Sequence, residues 1–361
     1  MFKIFPLTGR LSDNNLTASR PRIEWIDALK GFAILCVVVG HVVDGYIEAG
    51  TFPDSLGIEN FIWQALYAFH MPLFFIVSGF VFSLAYANHG GSVKYAKLRT
   101  QLLDIAVVYI VFSAILVALK VMFAGHVNTQ LSFTDLLHIW KSPISPYWYL
   151  YVLAAFYVVG VPLLIAQCRL LVCSLIIALA VSLSSGWMGL PSAFCVSQMA
   201  FMLVFFIFGV AVQRGFIKIG WPIALAGLGL SVVLFCYFCD THTPLSMAVR
   251  HLTFVNTIVA AGISLFIFKA FSAFAWLDSP FLRLCGKYCL GVYLIHCFFT
   301  AGFRTLLPVA GITAFWPSLL INTVLSTALP ILFAMWLERL GVHDILFRPA
   351  HWFKRRAARS E

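Results

Sequence analysis

The sequence predicts an all-α polytopic membrane protein of about ten spanning helices, with both termini cytoplasmic. Three observations carry that expectation. Of 361 residues, 61% are hydrophobic and only 11% are charged, more apolar surface than a water-soluble core can use. The apolar residues fall in long runs without strict alternation, which argues against an outer-membrane barrel. The basic residues gather in alternate short connections and at the ends, the pattern that orients helices in a bilayer. The mean hydropathy of +0.94 agrees. A formal net charge of +10 would suit a nucleic-acid partner, but its distribution assigns it to topology instead, and no nucleic acid is expected.

Residues 1–24 are polar and basic, with Lys3, Arg10, Arg20 and Arg22. They lack an apolar core followed by a small-residue cleavage site, so they read as a cytoplasmic arm. The spanning domain then occupies residues 25–340. Its apolar segments run at about residues 25–47, 60–86, 100–123, 147–167, 170–187, 197–214, 220–239, 247–270, 287–308 and 315–338. A basic tail, residues 341–361, closes the chain. On this register the cytoplasmic side carries Lys94, Lys97, Arg99, Arg169, Arg214, Lys218, Lys269, Arg283 and Lys287. The opposite side keeps Lys120, Lys141, Arg250 and Arg304, and its first connection is acidic, with Asp44, Glu48, Asp54 and Glu59. That asymmetry fixes the orientation. No internal repeat is evident.

Nine cysteines are scattered, mostly inside apolar runs, where a thiol behaves as a small hydrophobe. Cys236 and Cys239 form a CxxC at the end of one run. A disulfide there is one reading, and a plain helical position in the absence of a redox fold is the stronger one. No zinc spacing appears and no Gly-rich phosphate loop follows a predicted strand, so neither a metal nor a permanently bound cofactor is expected.

The first span, Ile26–His41, reads IDALKGFAILCVVVGH. Lys30 and His41 are three helical turns apart, so they share one stripe and lie about 16 Å apart along the axis. Ionisable groups at such depth are expensive in lipid and face a bundle interior or a wet cavity, which makes them functional candidates. The alternative is that Lys30 reaches back to the headgroups while His41 merely bonds a neighbouring helix. Asp27 lies one turn before Lys30 and can pair with it. Asp44 lies one turn after His41 and is placed to orient the ring. An oriented neutral imidazole in a low-dielectric cleft is a candidate general base for a hydroxyl. In the second span, Pro72 should kink the helix beside His70, and Ser78 and Gly79 allow close helix approach. His296, in the ninth span with Tyr293 one turn earlier, reaches a depth similar to His41 and His70.

At this point the ordered motifs resemble those of the membrane-bound acyltransferase type 3 family, nearest its fucose O-acetylase-like and Nod-factor acetyltransferase-like branch. The resemblance rests on a basic residue, ten residues and a histidine (Lys30, His41), MPLFFIVSGF (Met71–Phe80), YWYLY (Tyr147–Tyr151) and GKYCLGVYLIH (Gly286–His296). It covers about residues 25–340. The family's first-helix basic residue is usually arginine, and lysine keeps the charge without the planar fork. Its arginine pair before the third helix is represented by Lys94, Lys97 and Arg99.

The resemblance implies a multi-pass enzyme of a bacterial inner membrane. It would move an acetyl-type group from a cytoplasmic acyl-CoA, such as acetyl-CoA, to a hydroxyl of a cell-surface or lipid-linked carbohydrate. It makes His41 the catalytic residue and gives Lys97 and Arg99 the donor's phosphates. Lys30 then binds the donor or polarises its thioester carbonyl. His41 either takes the acceptor's proton directly or carries the acyl group transiently. His70, Trp148, Tyr149 and His296 become substrate-binding candidates, with Trp148, Tyr149 and Tyr151 at the outer interface. A second reading from another class uses His41, His70, His296 and Asp27 as relay groups of a proton-coupled transporter for a small polar solute. It requires a pH gradient and no CoA. A third is a scaffold or sensor that keeps the fold without the chemistry.

Overall fold

The computed structural model describes residues 23–87, 92–239 and 253–360. Residues 1–22, with the basic arm's Lys3, Arg10, Arg20 and Arg22, lie outside the described residues, as does Arg250. In chain order the helices are α1 (Glu24–Ala49), α2 (Leu56–Tyr67), α3 (His70–Tyr86), α4 (Tyr95–Met122) and α5 (Trp148–Val159). They continue with α6 (Val161–Ile165), α7 (Cys168–Ser184), α8 (Val196–Gln213), α9 (Trp221–Phe238) and α10 (Thr253–Ala273). The chain closes with α11 (Pro280–Lys287), α12 (Cys289–Val309), α13 (Phe315–Arg339), α14 (His343–Phe347) and α15 (Pro349–Ser360). Among the described residues there is no β-strand, only an isolated bridge between Ala87 and Val93. This is an all-α polytopic membrane protein.

Among the described residues, eight stretches are long and apolar enough to cross a bilayer. The expected fourth and fifth spans are instead shorter apolar helices, α5 and α7. At 1.5 Å per residue the 12 residues of α5 rise only about 18 Å, and Gly160 separates them from α6.

The second expected span breaks earlier than its proline suggested. The helix stops at Tyr67 and restarts at His70 with Phe69 as the capping residue. Pro72 therefore occupies the first turn of α3, where its missing N–H leaves no helical bond unmade. The break matters because it sets Tyr67 and His70 on either side of a corner instead of on one continuous helix.

α1 is the hub, packing against α2, α3, α10, α11, α12 and α13. Glycines at two crossings make the closest approaches possible. A Cβ on Gly31 would lie 1.9 Å from the Leu282 carbonyl oxygen, and one on Gly286 would lie 1.8 Å from that of Asp27. The backbones of α1 and α11 are thus in contact beside Lys30. Gly79 and Gly209 do the same between α3 and α8, each facing a backbone oxygen at 2.0 Å from the position of a Cβ. Small residues at such crossings replace hydrophobic driving force with close packing in a bilayer.

The tail forms two further helices that fold back onto the bundle. The Asp104 carboxylate of α4 accepts from the Ala350 amide at 2.7 Å and also bonds the His351 ring. It thereby satisfies free N–H groups at the start of α15. Phe347 is buried, with its ring 6.3 Å from that of Phe112. At the other end of the bundle, the connection after α4 folds over α1. There the Asn128 amide donates to the Glu48 carboxylate at 2.9 Å.

Candidate active site

Three histidines from α1, α3 and α12 converge inside the bundle. The His41 and His296 rings have centroids 5.2 Å apart. His296 is fully buried and His70 nearly so, while His41 is half-buried. Their tautomers follow from their partners. His70 Nδ1 lies 2.7 Å from the Leu66 carbonyl oxygen, and His296 Nδ1 lies 2.9 Å from those of Val292 and Tyr293. A carbonyl only accepts, so Nδ1 carries the hydrogen in both rings and Nε2 keeps its lone pair. His296 Nε2 faces Cys297 Sγ at 3.2 Å.

His41 is oriented by an aromatic chain that single-residue motifs did not reveal. Its Nδ1 lies 3.4 Å from the Tyr67 hydroxyl. Tyr67 stacks on Trp63 at 4.0 Å between centroids and meets His70 edge-on at 4.7 Å. Trp63 in turn donates its indole N–H to Asp44 at 2.7 Å. The Asp44 carboxylate also bonds the Tyr67 side chain, so its link to the His41 ring runs through Tyr67. The carboxylate is engaged by Trp63, because the α2–α3 corner swings that indole over the end of α1.

Two cavities approach this cluster from opposite ends of α1. The larger, about 440 Å³, is lined by Lys30, Lys97, Lys287, Arg348, Tyr149 and Tyr293 among others. Its inner wall reaches Val37, Met71 and Tyr293, which lie one turn before His41, beside His70 and one turn before His296. The smaller, about 130 Å³, is lined by His41 itself with Asp44, Glu48, Lys120 and Arg304. Arg304 donates to the Gly45 carbonyl at 3.2 Å, across the end of α1.

The structure sorts the remaining candidates. Lys30 lines the larger cavity, and its ammonium is paired with the buried Asp27 carboxylate at 2.5 Å. That partner lies towards the start of α1, so Lys30 is drawn away from His41, about 16 Å along the helix. Lys30 thus sits at the basic end of the larger cavity. Lys97 lines the same end and donates to the Ala85 carbonyl at 3.4 Å. Arg99 is exposed and does not line this cavity. Tyr149, expected at an outer interface, instead faces the larger cavity and shares a hydrogen bond with Ser78 at 2.7 Å. Trp148 packs inward, with its ring 6.4 Å from that of Phe75. No disulfide joins Cys236 and Cys239.

Other lining groups come from segments with no motif. Lys287 donates to the Tyr288 hydroxyl at 2.7 Å and to Glu338 at 2.9 Å. The hydroxyl beside it, followed by the carboxylate, raises its pKa, so the ammonium stays charged at the basic mouth. Phe347 and Arg348 are supplied by the tail.

A buried imidazole cluster thus lies between two cavities, inside a helical bundle built for a bilayer. The chain matches a family model described as an acyltransferase domain over residues 23–335. It belongs to the acyltransferase 3 family and is a multi-pass membrane acyltransferase. No curated protein and no solved structure matches it.

Proposed function

We propose that the protein moves an acetyl-type group from a cytoplasmic acyl-CoA to a hydroxyl of a cell-surface or lipid-linked carbohydrate, in a bacterial inner membrane. The observation that carries this reading is a pair of cavities that approach the histidine cluster from opposite ends of α1, the smaller lined by His41 and the larger by the neighbouring Val37, Met71 and Tyr293. A donor and an acceptor on different sides of a bilayer need such an arrangement, and the unequal volumes suit their unequal sizes.

The larger cavity's mouth suits a nucleotide thioester. Lys30, Lys97, Lys287 and Arg348 place four cations around it, favourable to phosphates through charge-assisted hydrogen bonds. Its deeper wall is apolar and aromatic, with Met71, Phe74, Val77 and Tyr293, which suits a pantetheine arm and excludes water from the thioester. His41 opens on the smaller cavity, where it takes the proton of an acceptor hydroxyl as the oxygen attacks the thioester carbonyl. Tyr67 holds the ring for that step and His296 backs it. The thiolate of CoA leaves through the larger cavity. Direct transfer and a transient acyl-imidazole both fit this placement, because either one needs a free nitrogen of His41.

Two measurements test the reading together. Purified protein supplied with acetyl-CoA and the host's surface glycan should release CoA, with a matching mass increment on the glycan by mass spectrometry. Solute flux that collapses with the pH gradient, without CoA release, would instead favour the transporter.

A further inference from the structure

We propose that His41, His296 and Cys297 form a binding site for a divalent cation of the zinc class, set where the smaller cavity meets the buried histidines. One candidate ligand atom from each residue lies within 4.8 Å of the others, and the Cys297 sulfur is already 3.2 Å from His296 Nε2. Two imidazoles and a thiol are the donor set of borderline and soft cations. Magnesium and calcium require oxygen ligands, which this set lacks. His41 comes from α1 and the other two from α12, so no local spacing in the chain announces the site.

The outer partners of the rings are those of ligating histidines. His296 gives its Nδ1 hydrogen to the Val292 and Tyr293 carbonyls, which turns the Nε2 lone pair towards the sulfur. His41 has its Nδ1 beside the Tyr67 hydroxyl, which leaves Nε2 as the second nitrogen. Proteins fix the tautomer and angle of metal-bound imidazoles through such bonds. Three protein ligands leave a fourth position of a tetrahedral ion open, and the smaller cavity lies directly against His41. Asp44 and Glu48 line that cavity together with Lys120 and Arg304. Acidic and basic groups therefore balance, and selectivity comes from the ligands and not from the field of the cavity.

Binding exchanges the Cys297 thiol proton for the cation, giving a metal–thiolate bond and one proton released to solvent. It also occupies the His41 lone pair, so the cation inhibits acyl transfer reversibly. This consequence rests on the proposed function, whereas the binding does not.

The test is titration of cobalt(II) into the purified full-length protein in detergent. The expected result is one equivalent per chain, with sulfur-to-cobalt charge-transfer absorption and intense tetrahedral visible bands, both erased by zinc. Cys297→Ser should lose the charge-transfer band and bind at least about tenfold more weakly, while eluting and melting like the wild type. His296→Gln should lose the tetrahedral intensity. Absence of the charge-transfer band in folded wild-type protein overturns the proposal. So does its persistence in Cys297→Ser, which would assign it to the exposed Cys236 or another thiol. Zinc should inhibit CoA release in the wild type and require at least about tenfold more metal in Cys297→Ser. If cobalt binds through Cys297 but no acyl transfer occurs under any condition, the cation site stands and the proposed function fails. Acyl transfer without the bands gives the converse.

Discussion

α1 and α9 are both apolar enough to cross a bilayer, yet 72% of the most apolar stretch of α1 is buried inside the protein against 11% of that of α9. Apolar character does not separate them. Their polar residues do. α1 carries Asp27, Lys30, His41, Asp44 and Glu48, each expensive to leave in hydrocarbon, so the helix must be wrapped by others. α9 carries no charge between Trp221 and Phe238, and its Ser231 is satisfied by the Ile258 and Val259 carbonyls of α10. Its bare faces, including Val233 and Leu230, are exposed to whatever surrounds the bundle.

The comparison breaks hardest at His41. His41→Ala should lower CoA release about a hundred- to ten-thousandfold, the usual weight of a general base, with unchanged abundance and melting in detergent. Near wild-type release by a well-folded variant would remove α1 from the chemistry. Lys30→Ala comes next, because it removes the ammonium paired with the buried Asp27 carboxylate. Scaled down for the half-exposed lysine, the loss is about 3 kcal/mol, visible in thermal unfolding, together with a raised KM for the donor. Lys30→Arg should keep most of both. Gly286→Ala forces a methyl into the Asp27 carbonyl and should cost about 1–3 kcal/mol of stability. The smallest effect belongs to α9. Val233→Ala should change stability by no more than about 0.5 kcal/mol, and a larger loss would mean that a second chain covers that face.

The same contrast explains what could be read before any coordinates. The helical class followed from composition, and Lys30, His41, His70 and His296 stood out because ionisable groups are rare at such depth. What spacing gives is the face of a helix, never the neighbour it meets. Asp44 shares a stripe with His41 but is engaged by Trp63, since the break before His70 brings α2 over it. Tyr67 and Trp63 carried no signal in a chain where 16% of residues are aromatic. Cys297 looked like one more small hydrophobe, and its meaning depends on a ring from a helix more than two hundred residues earlier. Arg99 followed the charge pattern of Lys97, yet lies two residues further round the helix and misses the cavity.

The return of α14 and α15 to α4 has a bearing on how the protein is made. Phe347 and Arg348 complete the wall of the larger cavity, yet they come after every described spanning helix, the last being α13. A nascent chain can thus have every hydrophobic segment inserted while its donor chamber still lacks a side. The Asp104 clasp on α15 closes that side only once the segment after α13 has been made, so the chamber is finished by a non-spanning segment and not by insertion of the spanning helices.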